Sequence, residues 1–412
     1  MKDVFIVVKT GATEIRKKLP ALLESTLSCV PDSNFAIFSD YEEDLFGHHI
    51  HDVLASVRPS IKDHHPDFSL YRRMQELHGD LSALKPSDLI SEKKAEHNGH
   101  GENKAWVLDK WKFGPLIQKA LDMRPNKRWY VVMETDTYVY FPNLLSWMST
   151  LDGSKPLYLG NQMSITPQIF AHGGAAMVIS NPAMKKAAAR RKRYEESYDD
   201  YTAHHWAGDA VLGHIMQDAG VELTWSWPIF LEHDFGEYDW NLTNYGKKLW
   251  CWPVGTYHHM DGGETKRLWK FESEWGRVNP KTRTMLHRDV FTDFAVPRIL
   301  SKDLESLSSP GHFIHGDWDN LSELLGGQKP GPMNLSECGS MCESTPNCVQ
   351  YSLFEGKCHI NKSMRLGRKA EQTGEDGKTR SSGWIRERVE KFLEGMEECP
   401  EEVNWIKPGA KK

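Results

Sequence analysis

Trp129-Tyr-Val-Val-Met-Glu-Thr-Asp-Thr-Tyr-Val-Tyr140 is the stretch on which the reading of the chain turns. Its first half is an unbroken run of aromatic, β-branched and other apolar residues, the pattern of a strand buried on both faces as in a parallel sheet. The run stops at Glu134-Thr135-Asp136. Two carboxylates therefore arrive where the strand ends, and at period 2 they share one side. Open α/β sheets bind ligands beyond the carboxyl ends of their strands. Two hard oxygen ligands there suit Mn²⁺ or Mg²⁺, and such an ion can neutralise a diphosphate. Taken alone, the triplet reads more readily as a solvated loop after a core strand, and the rest of the chain has to decide.

On the N-terminal side, Asp3-Val-Phe-Ile-Val-Val-Lys9 reads as a strand, and Thr10-Gly11-Ala12 turns it into a helix over residues 14–27 with Leu19, Leu22, Leu23 and Leu27 on one face. Asn34-Phe-Ala-Ile-Phe38 is a second strand ending at Ser39-Asp40. This is a βαβ unit, which sets Thr10 and Asp40 on one edge. Asp40 can there accept from a ribose hydroxyl or a base N–H, or cap a helix. A third strand is expected over residues 49–54 and a helix over 66–77. Residues 79–103 turn polar and read as a mobile surface loop. A long amphipathic helix is expected over 104–121, with Lys110 and Lys112 either reaching a phosphate or lying on the surface.

On the C-terminal side come a helix over 142–150, a short strand over 157–160, and Phe170-Ala-His-Gly-Gly-Ala-Ala-Met-Val-Ile-Ser180. Gly173-Gly174 before an apolar run implies a tight turn or close approach of backbone to a ligand. Trp206-Ala-Gly-Asp209 precedes a helix over 210–219, so Asp209 caps it or points into a site. The acid- and ring-rich segment Glu232-His-Asp-Phe-Gly-Glu-Tyr-Asp-Trp-Asn241 suits a polyhydroxyl ligand, rings under a sugar face and carboxylates to hydroxyls. Trp250-Cys-Trp-Pro-Val-Gly-Thr-Tyr-His-His-Met-Asp261 ends a strand on two histidines, a plausible third metal ligand beside the carboxylate pair.

With 412 residues there is room for two domains, or for one large domain with an appendage. The net charge of −6 and the lack of an extended basic run argue against nucleic acid, and the Ala187–Arg193 basic cluster reads as a solvated helix face. No run of about 18 apolar residues and no signal peptide are present. A strand directly after Met1-Lys2 reads as a boundary where an anchor has been trimmed, so any membrane contact is expected only through a type II anchor absent from this chain. Sequons at Asn241, Asn320, Asn334 and Asn361 argue for the secretory pathway. Cys338, Cys342, Cys348 and Cys358 read as a disulfide scaffold rather than a zinc site. Spacing leaves Cys29, Cys251 and Cys399 unassigned. Residues 301–333, rich in Ser, Gly and Pro, read as a linker, and residues 382–398 as a terminal helix.

Several motifs together resemble glycosyltransferase family 31, the fringe and core-1 β1,3-galactosyltransferase group. Glu134-Thr-Asp-Thr-Tyr-Val resembles its Asp-Asp-Asp-Thr-Tyr-Val. Phe170–Ser180 is similar to its Gly-Gly-Ala-Gly segment, Gly208-Asp-Ala-Val-Leu-Gly213 to its acidic-Asp-x-x-x-Gly, and Tyr257-His-His-Met-Asp261 to its Phe-His-Tyr-Val-Asp ending. Phe38-Ser-Asp40 and Lys9-Thr-Gly-Ala12 suit its nucleotide-side strands. Asn103-Lys-Ala-Trp-Val-Leu-Asp-Lys-Trp-Lys-Phe113 and Trp250-Cys-Trp-Pro-Val resemble its fungal fringe-like branch. The cysteine cluster resembles a PAN/apple module.

The resemblance implies an α/β GT-A domain over residues 1–300, a linker over 301–333, and a small disulfide-rich α+β module over 334–400. It implies a UDP-sugar donor, a glycan or glycoprotein acceptor, and Mn²⁺, with Mg²⁺ as the alternative. Asp136, His258 and Glu134 would hold the metal, with His259 the substitute for His258. Asp209 would be the inverting base. Thr10, Asp40, Lys110, Glu134, Gly173 and Gly174 would face the donor, and Trp206, Glu232, Asp234, Tyr238 and Trp240 the acceptor. The module implies Cys338–Cys358 and Cys342–Cys348. Galactose is the favoured sugar, a β1,3 linkage the favoured product, and the Golgi lumen or secretion the expected location. Three departures stand out: Glu134 and Thr135 in the acidic triplet, Gly208 before the base, and His172. The altered acidic triplet and the PAN/apple-like module motivate a rival reading, a secreted carbohydrate- or protein-binding chain with a degenerate transferase domain. A sugar-phosphate metallohydrolase would use the same ligands but leaves the Gly-Gly segment unexplained.

Overall fold

The apolar runs form one sheet of eight strands: β1 (Val4–Lys9), β2 (Phe35–Ser39), β3 (Glu43–Leu45), β4 (His48–Asp52), β5 (Trp129–Glu134), β6 (Tyr158–Gly160), β7 (Met177–Ser180) and β8 (Leu223–Trp225). This computed structural model describes residues 1–90, 103–279, 283–307, 309–323, 332–370 and 380–409. Part of the polar segment 79–103 and of the stretch 301–333 therefore lies outside the described residues. The contacts divide the chain into two units: Met1–Glu232 with Gly255–Ser273 and Trp405–Lys412, and His233–Val254 with Glu274–Asn404.

In the first unit the strand order is β8-β6-β7-β5-β1-β2-β4-β3. β1 runs parallel to both β2 and β5, and Lys9 lies opposite Phe38 on one side and Glu134 on the other. Three strands thus end together, with Thr10, Asp40 and Asp136 just beyond. The sheet is mixed: β7 runs antiparallel to β5, with Met177 opposite Val132. That reversal returns Gly173-Gly174 to the edge where β5 stops. Phe5, Val7, Phe38 and Tyr130 fill the core beneath with Leu116 and Val211. Each such side chain contributes roughly 1.5–3 kcal/mol by leaving water.

The long helix expected over 104–121 is two helices, Lys104–Asp109 and Phe113–Met123. Pro115 has no N–H to give the carbonyl of Trp111, so the first helix cannot run through, and Pro in a first turn suits the second. The helix expected over 14–27 is confined to Ile15–Leu23. No helix among the described residues is long and apolar enough to cross a membrane.

In the second unit, β9 (His312–His315), β10 (Gln350–Phe354), β11 (Lys357–Asn361) and β12 (Ser381–Ile385) form an antiparallel sheet in the order β9-β12-β10-β11. Residues 312–315 are therefore part of a sheet and not a linker. The expected terminal helix also begins late, at Arg386, because Trp384 and Ile385 belong to a strand and are buried. Helix Leu335–Ser344 opens on a capping box, with Asn334 accepting from the Glu337 amide at 2.9 Å and Glu337 accepting from the Asn334 amide at 2.8 Å.

Cys338 is joined to Cys358 and Cys342 to Cys348, the pairing the resemblance implies. Cys251 is joined to Cys399, which spacing left open, and Cys29 is free and exposed. Two sequons disagree with glycosylation of the folded chain. Asn320 is fully buried and donates its amide to the Tyr351 carbonyl, and the Asn361 amide nitrogen is buried. Asn241 and Asn334 are exposed.

Candidate active site

A line of alternating charge runs beyond the ends of β2, β1 and β5. Asp40 meets Lys112 at 2.9 Å, Lys112 meets Asp109 at 3.2 Å, Asp109 meets Lys9 at 2.6 Å, and Lys9 meets Glu134 at 3.1 Å. Lys9, Lys112 and Asp40 are almost without exposure. Burial alone would push both lysines down, but the carboxylates beside them outweigh it and hold Lys9 and Lys112 above the ordinary lysine range. Burial likewise opposes ionisation of Asp109, yet the two lysines keep it below the usual carboxylate range. Asp40 also accepts from the Ala12 amide at 2.7 Å, and Lys112 donates to the Thr10 carbonyl at 2.8 Å. The Thr10 and Thr135 hydroxyls are 3.2 Å apart.

Next to this line lies a trio drawn from two distant stretches. Thr256 pairs with Val139 and Tyr257 with Tyr138, and the Met260 amide donates to the Asp136 carbonyl at 3.0 Å. This short ladder carries His258 to Asp136. One ligand atom each from Asp136, His258 and His259 lie within 4.8 Å of one another. The His258 Nδ1–H points to the Glu232 carbonyl at 3.1 Å, which leaves Nε2 facing Asp136 Oδ1 at 3.5 Å. Asp136 Oδ1 is buried and has no hydrogen bond, while Oδ2 takes Lys18 at 3.0 Å. A buried carboxylate oxygen without a donor, facing an imidazole nitrogen, fits a divalent cation. Burial disfavours charge on both groups. The pairing wins, so Asp136 falls below and His258 rises above its ordinary value. Any Cβ on Gly174 would lie inside the His258 ring, so this position admits only glycine while the ring keeps its place.

Asp209 sits in the first turn of helix Gly208–Asp218. Its Oδ2 accepts from the Gly173 amide at 2.9 Å and its Oδ1 from the Ala210 amide at 2.9 Å. A Cβ on Gly173 would meet Asp209 Cβ and Glu134 Oε1 at 3.4 Å each, so this one glycine lies between the two carboxylates. Burial raises Asp209 above the usual carboxylate range, only partly offset by His172 and the two amides. His172 accepts the Ala175 amide on Nδ1 at 3.1 Å, and burial holds it below the ordinary histidine range. The missing acid before the base has a steric reason. A Cβ at Gly208 would come within 2.6 Å of the Lys110 Cα, so no acidic side chain fits there.

Thr10, Asp40, Glu134, Asp136, Gly173, Gly174, Asp209 and His258 thus gather at one edge of the sheet. Within this group Glu134 turns to Lys9 and stands outside the trio, and His259 joins His258 rather than substituting for it. Other expected residues do not reach this edge. Lys110 turns away to Asp67 at 2.8 Å and the Ala203 carbonyl at 3.2 Å, leaving Lys112 at the site. Trp206 is exposed and stacks on Trp106 with ring centroids 5.8 Å apart. Glu232 serves through its carbonyl. In the second unit, Trp240 is fully buried and stacks on Phe291 at 4.7 Å. Tyr238 is buried and accepts the His233 amide, and Asp234 accepts the Gly236 amide at 2.5 Å. These rings, expected under a sugar, fill a core. Lys9, Lys18 and Asp109 went unrecognised in the sequence. The available signal was that Lys9 and Asp109 flank residues already singled out, Thr10 and Lys110.

Residues 116–233 match the family model described as Fringe, Fringe-like. This fringe-like segment carries Glu134, Asp136, Gly173, Gly174 and Asp209, while His258 lies beyond it. A comparison with curated proteins returns no match.

Proposed function

We propose that this fringe-like chain is an inverting, metal-dependent glycosyltransferase moving a hexose, galactose first among candidates, from a UDP-sugar to a glycan or glycoprotein acceptor through a β1,3 linkage. One observation carries the reading: the Gly173 backbone lies between Asp209 and Glu134, with the Asp136–His258 pair packed against Gly174. A base and an electrophile-side cluster thereby flank the same stretch of glycine backbone.

Asp209 takes the proton of the attacking acceptor hydroxyl, and its raised pKa suits a base working near neutrality. The Gly173 amide holds Oδ2, leaving the remaining lone pairs for that proton. Asp136 and His258, with Glu134 or His259 beside them, would hold Mn²⁺ or Mg²⁺, which when bound stabilises the charge of the leaving diphosphate. Thr10 and Asp40 face the nucleoside, and Lys112 fixes Asp40. Trp206, exposed three residues before the base and stacked on the half-buried Trp106, offers a ring for an acceptor sugar face. Three disulfides and the exposed sequons at Asn241 and Asn334 support work in the secretory pathway. The disulfide-bonded C-terminal sheet is read as a PAN/apple-like module.

The test is calorimetric titration of UDP into chelator-stripped protein with and without Mn²⁺, followed by donor hydrolysis over UDP-sugars. Metal-dependent binding with one preferred sugar is expected. A second reading has its own support, because Lys9 and Lys18 already neutralise Glu134 and Asp136. A carbohydrate-binding chain with a retired transferase site would bind glycans and show no UDP binding in either condition.

A further inference from the structure

We propose that the β3–β4 hairpin carries a second, separate metal site for Zn²⁺, built from Glu42, His49 and His51. His49 and His51 are two residues apart on β4, so their rings leave the same face of the strand. Their centroids are 4.6 Å apart. Glu42 stands at the base of the hairpin with its two oxygens in different tasks. Oε2 accepts from the Asp52 amide at 2.5 Å, which fixes the carboxylate. Oε1 faces both imidazoles, 2.6 Å from His49 Nε2 and 3.8 Å from His51 Nδ1.

Zinc bonds of about 2.0–2.2 Å place tetrahedral ligand atoms about 3.3–3.5 Å apart. The two measured separations straddle that value, and all three ligand atoms lie within 4.8 Å of one another. Small side-chain rotations therefore suffice. Two further features prepare the ligands. Asp44 Oδ1 holds the other nitrogen of His49, Nδ1, at 2.8 Å, the carboxylate–histidine arrangement that orients a zinc ligand. His51 is only 18% exposed and leans on the Phe38 ring, with centroids 5.6 Å apart, so its direction is set by the sheet. Two imidazoles and one carboxylate select Zn²⁺ over Ca²⁺ or Mg²⁺, which take oxygen donors. A fourth position stays open to water. The bound ion would tie an edge strand to β4, whose neighbour β2 leads to Asp40.

The experiment is Zn²⁺ titration of the full, chelator-stripped chain by calorimetry, with hydrogen exchange followed over residues 42–52. Two double variants separate the clusters: His49→Ala with His51→Ala, and Asp136→Asn with His258→Ala. The proposal expects the first to lose one equivalent of Zn²⁺ and the second to keep it. Zn²⁺ should slow exchange in residues 42–52 of the wild type only where both histidines remain. Asp44→Asn should weaken this equivalent about 10–100-fold without abolishing it. If the alanine pair does not fold by circular dichroism, His51→Gln alone replaces it, with the same loss expected. An unchanged stoichiometry in the histidine variant, or no Zn²⁺-dependent protection of the hairpin, overturns the site.

Discussion

Lys112→Met tests whether the buried charge line holds the nucleotide edge of the sheet together. Methionine keeps the length and apolar stem of the side chain and removes only the ammonium. Asp40 would then sit 2% exposed with its cation gone, keeping the Ala12 amide and the Ser39 hydroxyl as partners of Oδ1. At the 2.9 Å separation the gross attraction is about 6 kcal/mol with an effective dielectric constant near 20. Desolvation of both ions offsets much of it in the native pair, but leaving one buried ion unpaired costs about 3–5 kcal/mol. The lower end is expected, because Oδ1 retains its donors. The chain divides into two units, so a single unfolding free energy is poorly defined, and native-state hydrogen exchange of β1 and β2 is the better reporter. A loss of 3 kcal/mol speeds exchange there by about 100-fold, at tenfold per 1.4 kcal/mol. Asp40→Asn in the same chain removes the orphaned charge, so the double variant should exchange more slowly than Lys112→Met alone. An acceleration below about fivefold, or strictly additive singles, refutes the argument.

Three further outcomes follow from the same geometry. Asp209→Asn should lower turnover about 10²–10⁴-fold with metal-dependent UDP affinity retained, and the acid limb of the wild-type rate profile should lie above the usual carboxylate range; undiminished turnover removes Asp209 as base. Gly174→Ala should displace the His258 ring and weaken Mn²⁺ about 10–100-fold in a calorimetric titration, whereas unchanged affinity would separate His258 from the metal. Glu272 is buried, accepts from the Tyr138 hydroxyl, and is pushed by burial up to about 8 from 4.5. Its folded form therefore binds the proton more tightly than the unfolded chain does, so this stability is present below pH 4.5 and lost as pH rises towards 8. Glu272→Gln should remove up to about 5 kcal/mol of that dependence. Native-state hydrogen-exchange protection of its helix, Gly262–Val278, relative to wild type should climb between pH 5 and pH 9, and a constant difference counts against the assignment.

Residue patterns alone carried the strands Val4–Lys9, Phe35–Ser39 and Trp129–Glu134, because an unbroken apolar run bounded by polar turns has few other places to go. They also carried the placing of Asp136 at the end of the sheet, since a polar residue abruptly following such a run lies at its edge, whereas pattern alone leaves Asp209 between a helix cap and a site and Gly173-Gly174 between a tight turn and a ligand contact. The resemblance to the family supplied the cysteine pairs 338–358 and 342–348. Tertiary structure decided the rest. Periodicity cannot show that Lys112 turns to Asp40 while Lys110 turns to Asp67, because both lie in the break between the helices Lys104–Asp109 and Phe113–Met123, where no helical period sets their direction. An aromatic-rich loop looks the same whether its rings meet a sugar or a core, and Trp240 meets Phe291. Asn320 carries a valid sequon in an inaccessible place, because a sequon is local and burial is not. The charge line Asp40–Lys112–Asp109–Lys9–Glu134 joins residues up to 125 positions apart in the chain. Only the register of three strands and one broken helix brings them together. Local pattern thus located the edge where a ligand could bind, and side-chain direction, set by packing across the fold, decided which residues reach it.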